Sequence, residues 1–185
     1  MNAKFSAKCV ALIAAGAMSM SLAACSGGSM DESSSSKGSA ANSDTITLGS
    51  VTTNSGTAAA YGEAEVAGFK LAVDEINAKG GINGKKVKLE SMDDKGDATE
   101  ASNAFNKLAG DNSVLGVVGP TISSTTAAVA PLADQSKLPA IAPAATSDSI
   151  ETGGYMFRPC FTGSYQGEIA ANFAAETLTV KKVAV

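Results

Sequence analysis

From Thr45 onward, short apolar runs alternate with longer amphipathic ones. "TITLGSV" (Thr45 to Val51) is a β-branched stretch of strand length, and "GEAEVAGFKLAVDEINAKG" places Val66, Phe69, Leu71, Val73 and Ile76 at mostly helical spacing before a glycine stop. "GKKVKLESMDD" returns to a period of two, with Val87 and Leu89 on one face. "DATEASNAFNKLAGD" predicts a helix that Asp97 caps, with Glu100 completing a capping box. "VLGVVGP" is a continuous apolar run that predicts a buried strand. "SSTTAAVAPLADQS" predicts the next helix, and "LPAIAPAAT" predicts a short strand running into a loop. A further strand is expected within Tyr155 to Cys160, and a helix from about Tyr165 to Leu178. Strands alternating with helices specify an α/β fold, a doubly wound parallel sheet with helices on both faces.

In such sheets ligands bind outside the carboxyl ends of the strands. That rule directs attention to "TTNSGTAAAYGE" after the first strand, "GPTISSTT" after the third and "APAATS" after the fourth, all small, hydroxylated or glycine-bearing. The loop after the second strand, "SMDDKGDATE", is acidic. Asp93, Asp94 and Asp97 lack the ligand spacing of a calcium loop, so the expectation there is a solvated loop with a helix cap. "GGINGKK" lacks the phosphate-loop spacing and reads as a turn between helix and strand.

The beginning of the chain obeys different rules. Lys4 and Lys8 precede an apolar stretch from about Val10 to Leu22, which closes on Leu22-Ala23-Ala24-Cys25. This predicts an export signal over 1–24. Leu-Ala-Ala-Cys resembles the lipobox of bacterial lipoproteins, which implies that Cys25 is lipidated and the chain cut before it. Residues 25–44 are rich in Ser, Gly, Ala and Asn and cannot bury enough apolar surface to offset the entropy of ordering, so a flexible, lipid-anchored tether is expected. After the leader is removed, with its two lysines, 12 basic residues face 18 acidic ones, a net charge of −6 that argues against nucleic acid. Cys9 leaves with the leader and Cys25 is acylated, so Cys160 has no partner for a disulfide within one chain. "VKKVAV" (Val180 to Val185) reads as a strand that begins without a turn after it, and the chain is expected to be truncated.

No histidine occurs, so a Ser-His-Asp or Cys-His centre within this chain is excluded. Ser123 and Ser124 have no evident base, and no Gly-x-Ser-x-Gly elbow is present; an enzyme is not expected. Ser123, Ser124, Thr125 and Thr126 open a helix whose first amides lack intrahelical acceptors and carry partial positive charge. Two readings stand side by side for these hydroxyls: simple N-capping, or a cradle for a carboxylate.

Several stretches taken in order carry a resemblance. "TLGSVTTNSGTAAAYGEAEVAGFKLAVDEINAKGGINGKKVKLESMDDKGDATEA", "VVGPTISSTTAAVAPLA" and "PAIAPAATSDSI" resemble the amino-terminal lobe of the leucine/isoleucine/valine-binding protein family, the substrate-binding components of branched-chain amino acid ABC transporters. The resemblance implies the first lobe of a type I periplasmic-binding-protein fold over 45–185, with 182–185 the start of a second lobe. It implies that Ser123 binds a ligand α-carboxylate with the amides of Ser124 or Thr125 assisting. The Ala144-Ala145-Thr146 stretch would supply the Ala144 carbonyl to the α-ammonium and the Thr146 hydroxyl and amide. Tyr61 would pack near the cleft mouth, whereas Tyr155 is assigned to the core. Gln166-Gly167 would position backbone rather than ligand.

The implied function is capture of an amino acid, branched-chain or otherwise aliphatic, outside the cytoplasm, by a monomer tethered to the membrane by its lipid and delivering to an ABC permease. No cofactor or metal is implied. An amide, a urea or an aromatic acid as ligand, and a ligand-sensing ectodomain, are the alternatives. Relatives often carry a disulfide between the acidic loop and the residue before the carboxylate-binding serine. Here that residue is Ile122, and the acidic loop has no cysteine. The acid that answers the ligand's ammonium belongs to the second lobe in this family, so one lobe alone is expected to bind weakly or not at all.

Overall fold

The computed structural model describes residues 44–150 and 154–184. The leader over 1–24, Cys25 and the tether up to residue 43 lie outside the described residues. No helix among the described residues is long and apolar enough to cross a membrane.

Five strands form a parallel sheet: β1 (Thr45–Thr52), β2 (Lys86–Asp93), β3 (Val114–Val118), β4 (Ala140–Ile141) and β5 (Met156–Phe157). They lie in the order β2-β1-β3-β4-β5. The helices between them are α1 (Ala59–Ala78), α2 (Ala98–Ala109) and α3 (Ser123–Ser136). α4 (Gly163–Asn172) follows β5 and runs into a single π-helical turn, Phe173–Thr177. Crossovers between parallel strands are right-handed, so the reversal of direction at β1 sends α1 to one face and α2 and α3 to the other. The contacts agree: α2 and α3 pack on each other, while α1 packs chiefly on β1 and β2.

The α2/α3 face holds the core. Phe105 and Leu108 from α2, Val129 and Ala133 from α3, and Val51, Val117, Ala140 and Met156 from the strands are all buried in one cluster. Tyr155 packs against it, as expected of that residue. Among the described residues the opposite face is covered only over β1 and β2. Ile141 and Phe157, lateral neighbours on β4 and β5, are 46% and 48% exposed, whereas their chain neighbours Ala140 and Met156 on the other face are buried.

Three expectations are corrected here. Asp97 does cap α2, accepting from the Thr99 and Glu100 amides, but no reciprocal box forms. The Asp97 amide goes to the Asp94 carbonyl, and Glu100 pairs with Lys95 at 3.8 Å. The helix expected over 165–178 begins at Gly163, where the Thr162 side chain accepts from the Tyr165 amide, and it gives way to the π turn at Phe173. Within "VKKVAV" the described residues 180–184 are not a strand: they are exposed and irregular, because among the described residues no neighbouring strand takes their backbone hydrogen bonds. "GGINGKK" is the turn that was expected, closed by reciprocal bonds between Ile82 and Lys85.

Candidate functional site

The strand order reverses between β1 and β3, and the crevice outside the carboxyl ends of these two strands is the natural place for a ligand in an open α/β sheet. Four segments gather there: the exits of β1 (from Thr53), β2 (from Asp94), β3 (Gly119 to Ile122) and β4 (Ala142 to Ser147).

The exit of β3 turns sharply. Gly119 has φ of 116°, and a Cβ there would strike the Val51 carbonyl, so only glycine lets β3 leave beside β1. Ile122 then takes the N-cap position of α3 and makes no side-chain capping bond. Simple capping by these hydroxyls is therefore not what the geometry shows. Thr126 closes the first turn with its amide on the Ile122 carbonyl. The amides of Ser123, Ser124 and Thr125 precede it and have no intrahelical acceptor. Thr125 and Thr126 are fully buried and turn their hydroxyls back onto the Ile122 carbonyl at 3.0 and 2.9 Å. Thr125 thus presents no surface of its own at the rim, whereas Ser123 is half-buried and Ser124 is exposed. Ser123 points the other way, and its Oγ accepts the Ser147 amide at 3.2 Å, which joins the start of α3 to the loop after β4.

That loop is held from behind. Arg158 donates to the carbonyls of Ala145 (3.1 Å) and Ser147 (2.6 Å), the Cys160 thiol lies 3.4 Å from the same Ala145 carbonyl, and the Gly163 amide takes the Thr146 carbonyl. Ala145 itself is buried. Within the described residues the Ala144 carbonyl and the Thr146 amide and hydroxyl make no hydrogen bond. Ala144 and Pro143 face Ala60, Tyr61, Ala64 and Glu65 of α1 across a groove of about 410 Å³. Tyr61 stands at its edge, 65% exposed. The structure therefore brings Ser123 and Thr146 together through Ser147, and Tyr61 and Ala144 together across the groove. Gln166 and Gly167 lie exposed on α4, whose first residue, Gly163, donates to the Thr146 carbonyl.

A buried polar network below the rim was not anticipated. The Thr53 amide donates to Thr121 Oγ1 (3.1 Å), and Thr121 donates onward to Glu65 Oε2 (2.6 Å). Thr53 Oγ1 donates to Asp94 Oδ1 (2.6 Å), which also accepts the Gly96 amide (2.9 Å). Asp94 is fully buried, so the solvated acidic loop expected from the sequence is corrected in part: of Asp93, Asp94 and Asp97, only Asp97 is exposed. Asp94 faces inward because it follows β2 directly and is taken up by the β1 exit. Burial works against the Asp93 carboxylate, but the Lys95 amide, Ser55 and the Asn54 amide, with the Lys95 charge, outweigh it and hold its pKa below the usual range. Glu65 is raised, first by burial and then by the charge of Asp94, against the lowering effect of the Thr121 bond. No group of acidic or sulfur side chains among the described residues is arranged to hold a metal ion. The signal that would have found this network is the i, i+3 spacing of Gly62 and Glu65. A Cβ at Gly62 would strike the Thr53 carbonyl, so that face of α1 is pressed against the β1 exit and Glu65 is carried inward with it.

Comparison with known proteins accords with this geometry. Residues 45–185 match the family described as Periplasmic binding protein. The Leu/Ile/Val-binding protein BraC3 of Rhizobium johnstonii is 36% identical over 142 residues, which is 76% of this chain and 38% of that protein. The branched-chain amino acid transporter substrate-binding protein LivJ from Streptococcus pneumoniae, solved in complex with isoleucine, superposes with a TM-score of 0.68 at 42% identity, over 73% of this chain and 39% of the other. A solute-binding protein of an ABC transporter from Rhodopseudomonas palustris, solved with 3,4-dihydroxybenzoic acid, gives 0.66 at 27% identity, over 72% and 37%. The chain thus spans under two fifths of the length of these proteins. On the family match and the sheet order, this chain belongs to the periplasmic binding protein family, of which it forms one lobe, with Leu/Ile/Val-binding proteins among its relatives.

Proposed function

We propose that this lobe is the amino-terminal half of an extracytoplasmic receptor that captures an amino acid, branched-chain or otherwise aliphatic, and delivers it to an ABC permease. The observation that carries the reading is the set of unpartnered groups on one rim. The hydroxyl proton of Ser123 and the first amides of α3 are donors for a carboxylate, and the Ala144 carbonyl is an acceptor for an ammonium. Ser124 contributes its amide, with the fully buried Thr125 supporting the turn behind it, and Thr146 adds a hydroxyl and an amide. Ala145 serves from within, its carbonyl anchored so that its neighbours can face outward. The groove beside them is lined mainly by Ala60, Tyr61, Ala64 and Pro143, an apolar wall suited to a hydrocarbon side chain.

Affinity in such a cleft comes from burial on both sides with water excluded, so the second lobe is needed for tight binding. Export by residues 1–24 and lipidation at Cys25 would hold the receptor at the outer face of the membrane, with 25–44 as tether and 182–185 as the step into the second lobe. Two acyl chains give stable anchoring where one is marginal.

Thermal unfolding of the full-length protein with leucine, isoleucine, valine and aromatic acids tests the reading. A rise in Tm with an aliphatic amino acid is expected, and no shift with any amino acid would sink it. Ser123→Ala is expected to weaken binding by about 1 to 3 kcal/mol as a buried carboxylate loses a donor. A second reading, an aromatic acid as ligand, is favoured by the 3,4-dihydroxybenzoic acid complex of the Rhodopseudomonas relative, and a Tm rise confined to aromatic acids would select it.

A further inference from the structure

Glu65 stands apart from the groups that face the rim. Its aliphatic stem lines the groove beside Tyr61, but its carboxyl is turned into the protein. Oε2 accepts from Thr121, and Oε1 is buried with no hydrogen-bond partner among the described residues. A carboxyl so oriented cannot reach a ligand's ammonium. It can, however, govern Thr121, the residue two positions before Ser123. Thr121 Oγ1 is already an acceptor from the Thr53 amide, so its one proton is directed to Glu65 and the hydroxyl cannot rotate without breaking both bonds. Through Thr53 the same chain of bonds reaches Asp94 and the turn after β2. Four elements, namely α1 and the exits of β1, β2 and β3, are thereby tied at one buried point directly beneath the switch in strand order.

We propose that Glu65 is a positioning residue of the ligand site: by holding Thr121 it sets the β3 exit against β1, and so fixes where Ser123 and the first amides of α3 are presented. The inference rests on the reading of Ser123 as a ligand-binding residue.

The electrostatics give the device a direction with pH. Among the charged groups acting on Glu65, Asp94 faces it from the turn after β2 and disfavours its ionised form, in addition to burial; Lys95, on the same turn, is directed to Glu100 instead. The groups that face it from the β1 exit (Thr53), the β3 exit (Thr121), the β4 exit (Pro143, Ala144) and its own helix (Tyr61) carry no charge at neutral pH. A glutamate raised above its ordinary value of 4.5 binds its proton more tightly in the folded protein than in the unfolded chain. Its contribution is full below that value and declines as pH rises through the raised one. The bond from Thr121 itself favours the ionised carboxylate, so the stability contributed by this group falls as pH rises while its hold on the β3 exit is firmest once Glu65 is ionised.

The test compares Glu65→Ala and Glu65→Gln with the unaltered full-length protein, by isoleucine titration at about pH 5 and about pH 8 and by amide exchange at Thr53 and at Ser123 to Thr125. Glu65→Ala is expected to raise Kd and speed exchange at these amides by about tenfold, the scale of one lost charge-assisted hydrogen bond. Glu65→Gln keeps an acceptor for Thr121 and removes the ionisation, so it should recover both to within about threefold and abolish the Glu65-dependent part of the pH profile. Glu65→Ala binding within about twofold of the unaltered protein, or a loss that Gln does not recover, overturns the inference. If the unaltered protein binds no isoleucine, the ligand reading fails separately. Amide exchange then decides: faster in Ala and restored in Gln supports the positioning role, and exchange unchanged in Ala overturns it.

Discussion

The two faces of the sheet are built to different degrees of closure. Toward α2 and α3 the side chains interlock until Phe105, Val51, Val129 and Ala133 have no exposed surface. Toward α1, among the described residues, only β1 and β2 are covered, and Ile141 and Phe157 remain about half exposed in the same ladder whose other side is buried. α4 and the π turn that continues it do not compensate, since Tyr165, Ile169 and Phe173 on them, with Phe161 just before, remain about half exposed. The lesson lies in the location of the candidate site. Its rim is anchored to the closed face through α3, while its groove opens on the incomplete face between α1 and the loop after β4. The groups proposed to face a carboxylate thus rest on the closed face, and the apolar wall of the groove rests on the side with fewer constraints.

The contrast can be broken first at its strongest point. Phe105→Ala removes a fully buried ring from the closed face and is expected to cost about 3 to 5 kcal/mol in urea unfolding. Gly62→Ala attacks the seam where α1 meets the open face. The added methyl meets the Thr53 carbonyl, so α1 must shift, with an expected loss of about 1 to 3 kcal/mol and faster amide exchange at Thr53. Asp97→Ala removes the two capping bonds of α2, on the closed side, and should cost about 1 kcal/mol, readable in the same unfolding curves. Phe157→Ala, on the open face, is expected to cost under about 1 kcal/mol, because a half-exposed ring loses little burial. A loss there as large as that of Phe105→Ala would show that the two faces are equally closed.

Much of the arrangement was legible in the residues. Helix and strand periods located β1, β2, β3, α1, α2 and α3, and the alternation implied a parallel sheet whose strand ends hold the site. Asp97 as cap, "GGINGKK" as turn and Tyr155 as a core residue were also readable, because each depends on chemistry within a few residues. Reading failed where the outcome depends on a distant partner. "VKKVAV" has a strand's composition, yet composition does not supply a neighbouring strand. Asp94 belongs to an acidic run, yet it is buried because Thr53, 41 residues earlier, takes it in. Glu65 looks like one more exposed helical acid until Gly62 lets α1 close on β1.

The sequence by itself determined the order of elements, the excluded histidine chemistry and the hydroxyl-rich start of α3, since these follow from local pattern and composition. Only the tertiary structure decided which hydroxyls remain available. Thr125 and Thr126 turn back on the Ile122 carbonyl, whereas Ser123 reaches the loop after β4. The physical reason is that a hydroxyl takes its nearest good partner, and in this lobe those partners come from separate strands brought side by side by the crossovers.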